Sequence, residues 1–378
     1  MADCDPPIDG RPMKVLIVLP SLEVGGAEQQ AVLIANNMAF EGHEVSLVIF
    51  RDGGRLIDKL DQTRITLVVL PISGPISAFF ALSQLVSICN GYNPTVVYSM
   101  LPLANLMTGI LGLFRKNLRI VWGIRSSIFS TKVYGMQVQA LYWLETKLMW
   151  MANGIITNSV AGRQKIPDRH FRPGRILTVP NGVDSTQYYP DKAARETLRN
   201  QYHLTPDIIA IGTVARLDPI KDQFTFLRAA AKFAAEFDNS KFFIIGDGNP
   251  TYKSQVEALI QELQVFNRVV LISSILDINA ANNMLDIMTL TSISEGFPNA
   301  IGEAMATATP CVATNVGDCE YLVGDPELLC QVGDDQALCA IWRCLADKKL
   351  RAKKGHEAYE RVTQHFSVDK CIQSTTAF

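Results

Sequence analysis

Clustered cysteine and histidine are missing from this chain. Its 378 residues hold eight cysteines (Cys4, Cys89, Cys311, Cys319, Cys330, Cys339, Cys344, Cys371) without a C-x2-C pair, and five histidines spread as thinly. That scatter speaks against a disulfide framework and offers no metal centre, so the cysteines read as small buried hydrophobes in a reducing compartment. A surplus of charge is lacking too. The formal net charge is −2, and no basic block marks a nucleic-acid-binding surface. The N-terminus, MADCDPPIDGRPMK, is acidic and proline-rich before its first apolar run, which does not read as a signal peptide. One uncharged run, VVYSMLPLANLMTGILGLF (96–114), is long enough to be considered as a membrane span. Pro102 and Asn105 in its middle, after a strand-like start, favour a buried strand leading into a helix. The chain is read as cytoplasmic.

What is present is a long series of short β-rich runs alternating with helical stretches. The first half holds KVLIVL, EVSLVIF, ITLVVL, TVVYS, LRIVW, GIITN and RILTV; the second holds IIAIGT, KFFIIG, RVVLIS, DIMTLT, PCVAT and ELLCQV. Apolar strands separated by helices indicate parallel sheets covered on both faces. Two such series predict an α/β fold of two Rossmann-like, doubly wound domains, in keeping with a length that favours two domains. Asn-Gly, proline and a polar helix interrupt the pattern after residue 180. The expected organisation is a first domain over 1–184, a linker over 185–205, a second domain over 206–356, and a C-terminal helix over 357–378 returning to the first. Open α/β sheets bind ligands at the carboxyl ends of their strands, so the loops there matter most.

Three of those loops carry candidate chemistry. In SLEVGGAEQQ, Gly25 and Gly26 allow a tight turn at a helix start whose N–H groups suit an anion, although a plain strand-to-helix turn fits equally well. The pattern is not G-x-G-x-x-G, which disfavours a nicotinamide cofactor. In GTVARLDPIKDQFTF, Asp218 suits an N-cap and Pro219 the first helical position, with Phe224, Leu227, Ala231 and Ala234 as the buried stripe. Lys221 then falls in the first helical turn, where a cation costs a few tenths to about 1 kcal/mol unless an anion compensates. Arg216 points to the same corner, so a diphosphate would satisfy both. In SISEGFPNAIGEAMA, a loop leads into a helix with Asn299 as its expected cap. Ile301, Ala304, Met305 and Ala308 share its buried side, and Glu303 projects from the other. Glu295 and Glu303 are either solvated carboxylates or acceptors for ligand hydroxyls, and spacing alone leaves both readings open.

These stretches, with TNS at 157–159, PNGVD at 180–184 and IIGDGN at 244–249, resemble the retaining nucleotide-sugar glycosyltransferases of family 4, which have the two-domain GT-B fold. The motifs recur in the family's order along nearly the whole chain, and the E-x7-E spacing of Glu295 and Glu303 is the most specific. The resemblance implies that Arg216 and Lys221 bind and stabilise the donor diphosphate. It also implies that Glu303 holds the ribose hydroxyls, that Glu295 lies near the transferred sugar, and that Phe297, Pro298 and Asn299 line that pocket. Gly25 and Gly26 would approach the phosphates from the other domain. The implied donor is a nucleotide-diphosphate sugar, with UDP-sugar expected, and the implied acceptor a saccharide or lipid-linked saccharide of a cell-surface polysaccharide such as lipopolysaccharide or capsule. Neither a bound metal nor another cofactor is implied.

The chain also departs from the family pattern. Where many relatives carry a histidine after the fifth strand, VWGIRSS offers Arg125, expected to orient donor or acceptor. Ser273 and Ala308 stand where relatives usually have glycine, which would bring a side chain close to ligand or helix. Cations at Arg115, Lys116 and Arg119 beside apolar residues, and the aromatic-rich ALYWLETKLMWMANG, fit either core helices or peripheral contact with a membrane surface. Two other functions stay open on this architecture, a sugar-nucleotide epimerase and a non-catalytic nucleotide-sugar binding protein. The retained Arg216, Lys221, Glu295 and Glu303 favour the transferase.

Overall fold

The computed structural model describes residues 12–23, 25–115, 117–125, 135–164, 166, 174–273 and 277–378. Cys4 and Lys116 therefore lie outside the described residues. The chain forms two compact units, one of Met1–Gly182 with Val368–Phe378, the other of Val183–Ser367.

Unit 1 is built on seven parallel strands, β1 (Lys14–Leu19), β2 (Glu44–Ile49), β3 (Ile65–Val69), β4 (Val96–Met100), β5 (Arg119–Ile124), β6 (Gly154–Thr157) and β7 (Ile176–Thr178), in the order β3-β2-β1-β4-β5-β6-β7. Its helices are α1 (Gly26–Phe40), α2 (Pro75–Tyr92), α3 (Pro102–Phe114), α4 (Met136–Leu148) and the short α5 (Val160–Arg163). Alternation along β1 divides its side chains between two cores. Val15, Ile17 and Leu19 pack with Ala31, Ile34 and Met38 of α1, while Leu16 and Val18 pack with Leu85 of α2, Ala104 of α3 and Trp122 of β5. Fully burying each such aliphatic side chain stabilises the fold by about 1.5–3 kcal/mol, which is why strands buried on both faces carry almost no polar residues. The run 96–114 is β4 followed by α3, and among the described residues no helix is long and apolar enough to cross a membrane.

A buried polar network crosses this second core. Ser99 donates to Asn105 Oδ1 at 2.8 Å, and Asn105 Nδ2 donates to Glu145 Oε1 at 2.6 Å. Glu145, on α4, is 2% exposed. Burial pushes its carboxyl up to about 7, with the Asn105 hydrogen bond pulling the other way.

Unit 2 has six parallel strands, β8 (Ile209–Val214), β9 (Ser240–Ile245), β10 (Val269–Ile272), β11 (Ile287–Leu290), β12 (Cys311–Thr314) and β13 (Leu329–Cys330), in the order β10-β9-β8-β11-β12-β13. Around them lie α6 (Lys192–Gln201), α7 (Gln223–Ala234), α8 (Pro250–Glu262), α9 (Ile278–Met284), α10 (Asn299–Ala306), α11 (Cys319–Val323), α12 (Asp335–Leu345) and α13 (Lys348–His365). Phe226, Phe233, Phe242 and Trp342 form an aromatic cluster with ring centroids 5.5 to 6.4 Å apart, and the Trp342 indole donates to Thr289 Oγ1 at 3.1 Å.

Residues 185–205, expected as a linker, belong to unit 2 and hold α6. Asp286, just before β11, explains the attachment. It accepts from Arg195 Nη2 at 2.6 Å, from Arg199 Nη1 at 2.9 Å and from the Ala210 amide at 2.9 Å. The last helix, α14 (Val368–Thr376), returns to unit 1, where Cys371 and Ile372 join the core beneath α1. The second division thus falls at 367/368, leaving α13 in unit 2.

Candidate active site

In unit 2 the strand order reverses between β8 and β11, the position where doubly wound sheets open a ligand crevice. The loops after these two strands are the ARLDPIK and SEGFPN stretches, and they are fastened together. The Ile293 amide donates to the Ile220 carbonyl at 2.8 Å, and Thr291 Oγ1 donates to the carbonyls of Lys221 and Asp222 at 3.0 and 2.9 Å. Across this seam Lys221 Nζ donates to Glu295 Oε1 at 2.6 Å, and Ser292 Oγ donates to the same oxygen at 2.6 Å. Both charged side chains are largely withdrawn from solvent, at 22% and 11% exposure. Arg216 differs: its side chain is 65% exposed, with Asp218 3.6 Å away. One cation is therefore held by a carboxylate while the other reaches outward.

Local geometry corrects the expected caps. Asp218 caps a 3-10 turn at Pro219–Lys221, and α7 begins only at Gln223. The cap of α7 is Asp222, at φ 44°, whose carboxylate accepts from the Thr225 amide and hydroxyl at 3.2 and 2.6 Å. Asp tolerates the left-handed region because its short polar side chain bonds locally. Lys221 consequently sits in the 3-10 turn ahead of the helix. The buried side of α7 shifts to Phe226, Leu227, Ala230 and Phe233, leaving Phe224, Ala231 and Ala234 partly buried.

α10 starts one residue earlier than its expected cap requires. Pro298 is the N-cap and Asn299 the first helical residue. Phe297 is buried and packs against Phe366 at 5.6 Å between centroids. Ile301, Ala304 and Met305 are buried, and Glu303 accepts a hydrogen bond from Tyr188, which burial and that carboxylate hold in its neutral form. Ala308 lies past the helix end at φ 59°. There the Ala308 amide donates to Met305 and the Thr309 amide to Ala304, a Schellman closure whose left-handed residue is usually glycine. Ser273 follows β10, where its hydroxyl accepts from Lys253 Nζ at 2.9 Å.

In unit 1 the order reverses between β1 and β4. Gly25 caps α1, and a Cβ at that position would lie 2.3 Å from Glu28 Oε2, so only glycine leaves room for that carboxylate to fold back. After β4, Leu101 holds φ 75° and ψ 150°. After β5 comes Arg125, 8% exposed. Its Nη1 donates to Asn181 Oδ1 at 2.9 Å and its Nη2 to the Tyr98 hydroxyl, while buried Nε has no partner among the described residues.

Two family models match this chain. One, described as glycosyl transferases group 1, covers residues 205–347; the other, glycosyltransferase family 4, covers residues 24–187. Between them they span most of both units. The chain is a family 4 glycosyltransferase of the GT-B fold. Among curated relatives, this glycosyltransferase is 29% identical over 204 residues to the N-acetyl-alpha-D-glucosaminyl L-malate synthase of Bacillus anthracis, covering 52% of this chain and 51% of that one. It is 27% identical over 320 residues to the UDP-Gal:alpha-D-GlcNAc-diphosphoundecaprenol alpha-1,3-galactosyltransferase of Escherichia coli, covering 80% of each. The match thus spans about half the length of the first relative. The crystal structure of Anabaena Alr3699/HepE with UDP-glucose superposes with a TM-score of 0.84 at 23% identity, over 97% of this chain and 98% of that one. That likeness establishes the fold.

The glycosyltransferase has neighbours to its expected site residues that sequence reasoning missed. Tyr188, Ser292 and Asp222 hold Glu303, Glu295 and the helix start. Gly317, at φ 56°, backs the Glu295 loop, since a Cβ there would lie 2.2 Å from the Glu295 carbonyl. Only Asp222 left a local signal, the D-x-x-T spacing to Thr225 that suits an N-cap.

Proposed function

We propose that this glycosyltransferase moves a hexose from a UDP-sugar to a saccharide or lipid-linked saccharide acceptor, with retention of anomeric configuration, in the cytoplasmic assembly of a cell-surface polysaccharide. The observation that carries the proposal is the seam at the unit 2 switch point, which bonds Lys221 to Glu295 at the carboxyl ends of β8 and β11, with Arg216 exposed on the first of the two loops. Arg216 and Lys221 take the diphosphate and stabilise the charge that develops as the glycosidic bond breaks. Removing one such preorganised donor commonly costs about 3–4 kcal/mol. Glu295 accepts from hydroxyls of the transferred sugar, Glu303 from the ribose, and the backbone of Phe297, Pro298 and Asn299 borders the sugar. Gly25 and Gly26 serve the phosphates, and Arg125 orients the acceptor or donor. Attack from the face the diphosphate leaves, through an oxocarbenium-like state, gives retention. The proposal includes no metal or other cofactor.

The names of the relatives support it. The E. coli protein's name gives a UDP-sugar donor and a diphosphoundecaprenol-linked acceptor, and the Anabaena structure contains UDP-glucose. An epimerase or a non-catalytic binding protein gains no support from these relatives. Peripheral contact with the inner membrane surface, where a lipid-linked acceptor is met, belongs to the same proposal.

A thermal-shift panel of nucleotide sugars tests it, because a ligand at 100 times its Kd stabilises by about 2.7 kcal/mol. UDP-sugars should give the largest rise. Lys221→Ala should reduce the rise for UDP and UDP-sugar alike, whereas Glu303→Ala should erode discrimination between ribose and deoxyribose nucleotides. If no nucleotide shifts the melting temperature, the proposal fails.

A further inference from the structure

The layer formed by α2, α3 and α4 covers one face of the unit 1 sheet, and its outward side carries large apolar side chains among uncharged polar ones where a solvated layer would be charged. Ile76, Phe79 and Phe80 on α2, Phe114 ending α3, and Met136 and Trp143 on α4 are 60 to 86% exposed. Spacing of i, i+3, i+4 puts the three α2 residues on one helix face. Exposed apolar surface on this scale marks an interaction site. The sequence from Gln62 to Leu144 contains no Asp or Glu, and the next acid, Glu145, is buried. Arg115 and Lys147, at the ends of α3 and α4, form no ion pair among the described residues. The acids of unit 1, such as Glu28, Glu41, Asp58 and Asp61, belong to other elements.

We infer that this layer docks on an anionic lipid surface. Charge decides the occupant. A second copy joined by a two-fold axis would set the same cations against one another with no carboxylate to meet them, whereas an anionic bilayer complements the cations and accepts the aromatic and aliphatic side chains. Each helix returns antiparallel to the strands, so the first turns of α2 and α4, with Ile76, Phe79, Phe80 and Met136, lie toward the carboxyl ends of the strands. With the layer lying along the bilayer, those turns bring a lipid-held acceptor to the end of the sheet that binds ligands, while Phe114, Arg115 and Lys147 meet the surface nearer the opposite end. In purpose the inference rests on the lipid-linked acceptor proposed above, but its test does not.

The full chain is sedimented with phosphatidylcholine vesicles and with vesicles containing 30% phosphatidylglycerol. Binding should require the anionic lipid and fall steeply between low and physiological salt. Arg115→Ala and Lys147→Ala should each weaken it about five-fold, from roughly 1 kcal/mol per cation near such a surface. Phe79→Ser with Phe80→Ser, exposed positions whose loss leaves the core intact, should weaken it at least ten-fold. The thermal shift by UDP-sugar is read on the same samples. Loss of vesicle binding with that shift retained supports the docking surface. A wild-type chain that responds to nucleotide but ignores anionic vesicles at low salt overturns it, as does self-association that Phe79→Ser abolishes. Vesicle binding without any nucleotide response would overturn the donor reading and leave the docking surface standing.

Discussion

In unit 2, buried charge meets opposite charge. Asp286 lies between Arg195 and Arg199, and Lys221 is bonded to Glu295. In unit 1, Arg125 and Glu145 are buried too, yet their partners among the described residues are neutral: Asn181 and Tyr98 for the arginine, Asn105 for the glutamate. The difference separates two ways of living with desolvation. A paired charge keeps its ionisation and holds elements together, whereas a buried group without a counter-charge either shifts toward its neutral form or waits for a partner from outside. Glu145 takes the first course. Arg125, with no carboxylate among its described partners, is placed to take the second.

The comparison breaks most visibly if Asp286 proves dispensable. Asp286→Ala strands two arginines and should cost about 3–5 kcal/mol in urea unfolding. Burial pushes this carboxyl up, but Arg195, the Ala210 amide and Arg199 outweigh it and hold it below the ordinary range. Its contribution therefore persists at neutral pH and is lost only as pH falls through that lowered value. Glu145 should behave in the opposite sense. Its carboxyl ionises near 4.5 in the unfolded chain and near 7 in the fold, so stability is full below 4.5 and declines as pH rises through 7. Glu145→Gln should accordingly gain about 3 kcal/mol at pH 8 and almost nothing at pH 4, measured as melting curves across that range. A gain independent of pH would remove Glu145 from the contrast.

Arg125→Met sharpens the same contrast on the functional side. It should lower kcat/KM about 100-fold, roughly 2.7 kcal/mol, while shifting the melting temperature by no more than a few degrees. Equal loss of stability would make Arg125 a structural strut. The smallest change leaves charge untouched. Ala308→Gly relieves a left-handed alanine at the end of α10 and should stabilise by about 1 kcal/mol in the same melts, with nucleotide affinity unchanged.

The fold was legible because strands buried on both faces leave continuous apolar runs; all thirteen runs read from the sequence are strands, although the last shrinks to Leu329–Cys330. Motif order located the loops that meet at the unit 2 switch point. Pairings within the site were not legible. Lys221 and Glu295 lie 74 residues apart and are joined only because β8 and β11 are neighbours, which no local pattern announces. Likewise Tyr188, in a stretch taken for a linker, reaches Glu303 through the tertiary packing of unit 2. Helix starts were misread, by four residues where Asp222 and not Asp218 caps α7, and by one where Asn299 is the first residue of α10 and not its cap. There backbone conformation, and not residue preference, made the choice.

The bond from Lys221 to Glu295 bears on selectivity. The protein has already neutralised this lysine, so a bare phosphate could claim it only by leaving a part-buried carboxylate uncompensated. On the proposed reading, a complete sugar donor arrives with phosphates for the lysine and hydroxyls for the glutamate, so both partners are exchanged in one event. The corner would then reject the cell's abundant inorganic anions by refusing half an exchange.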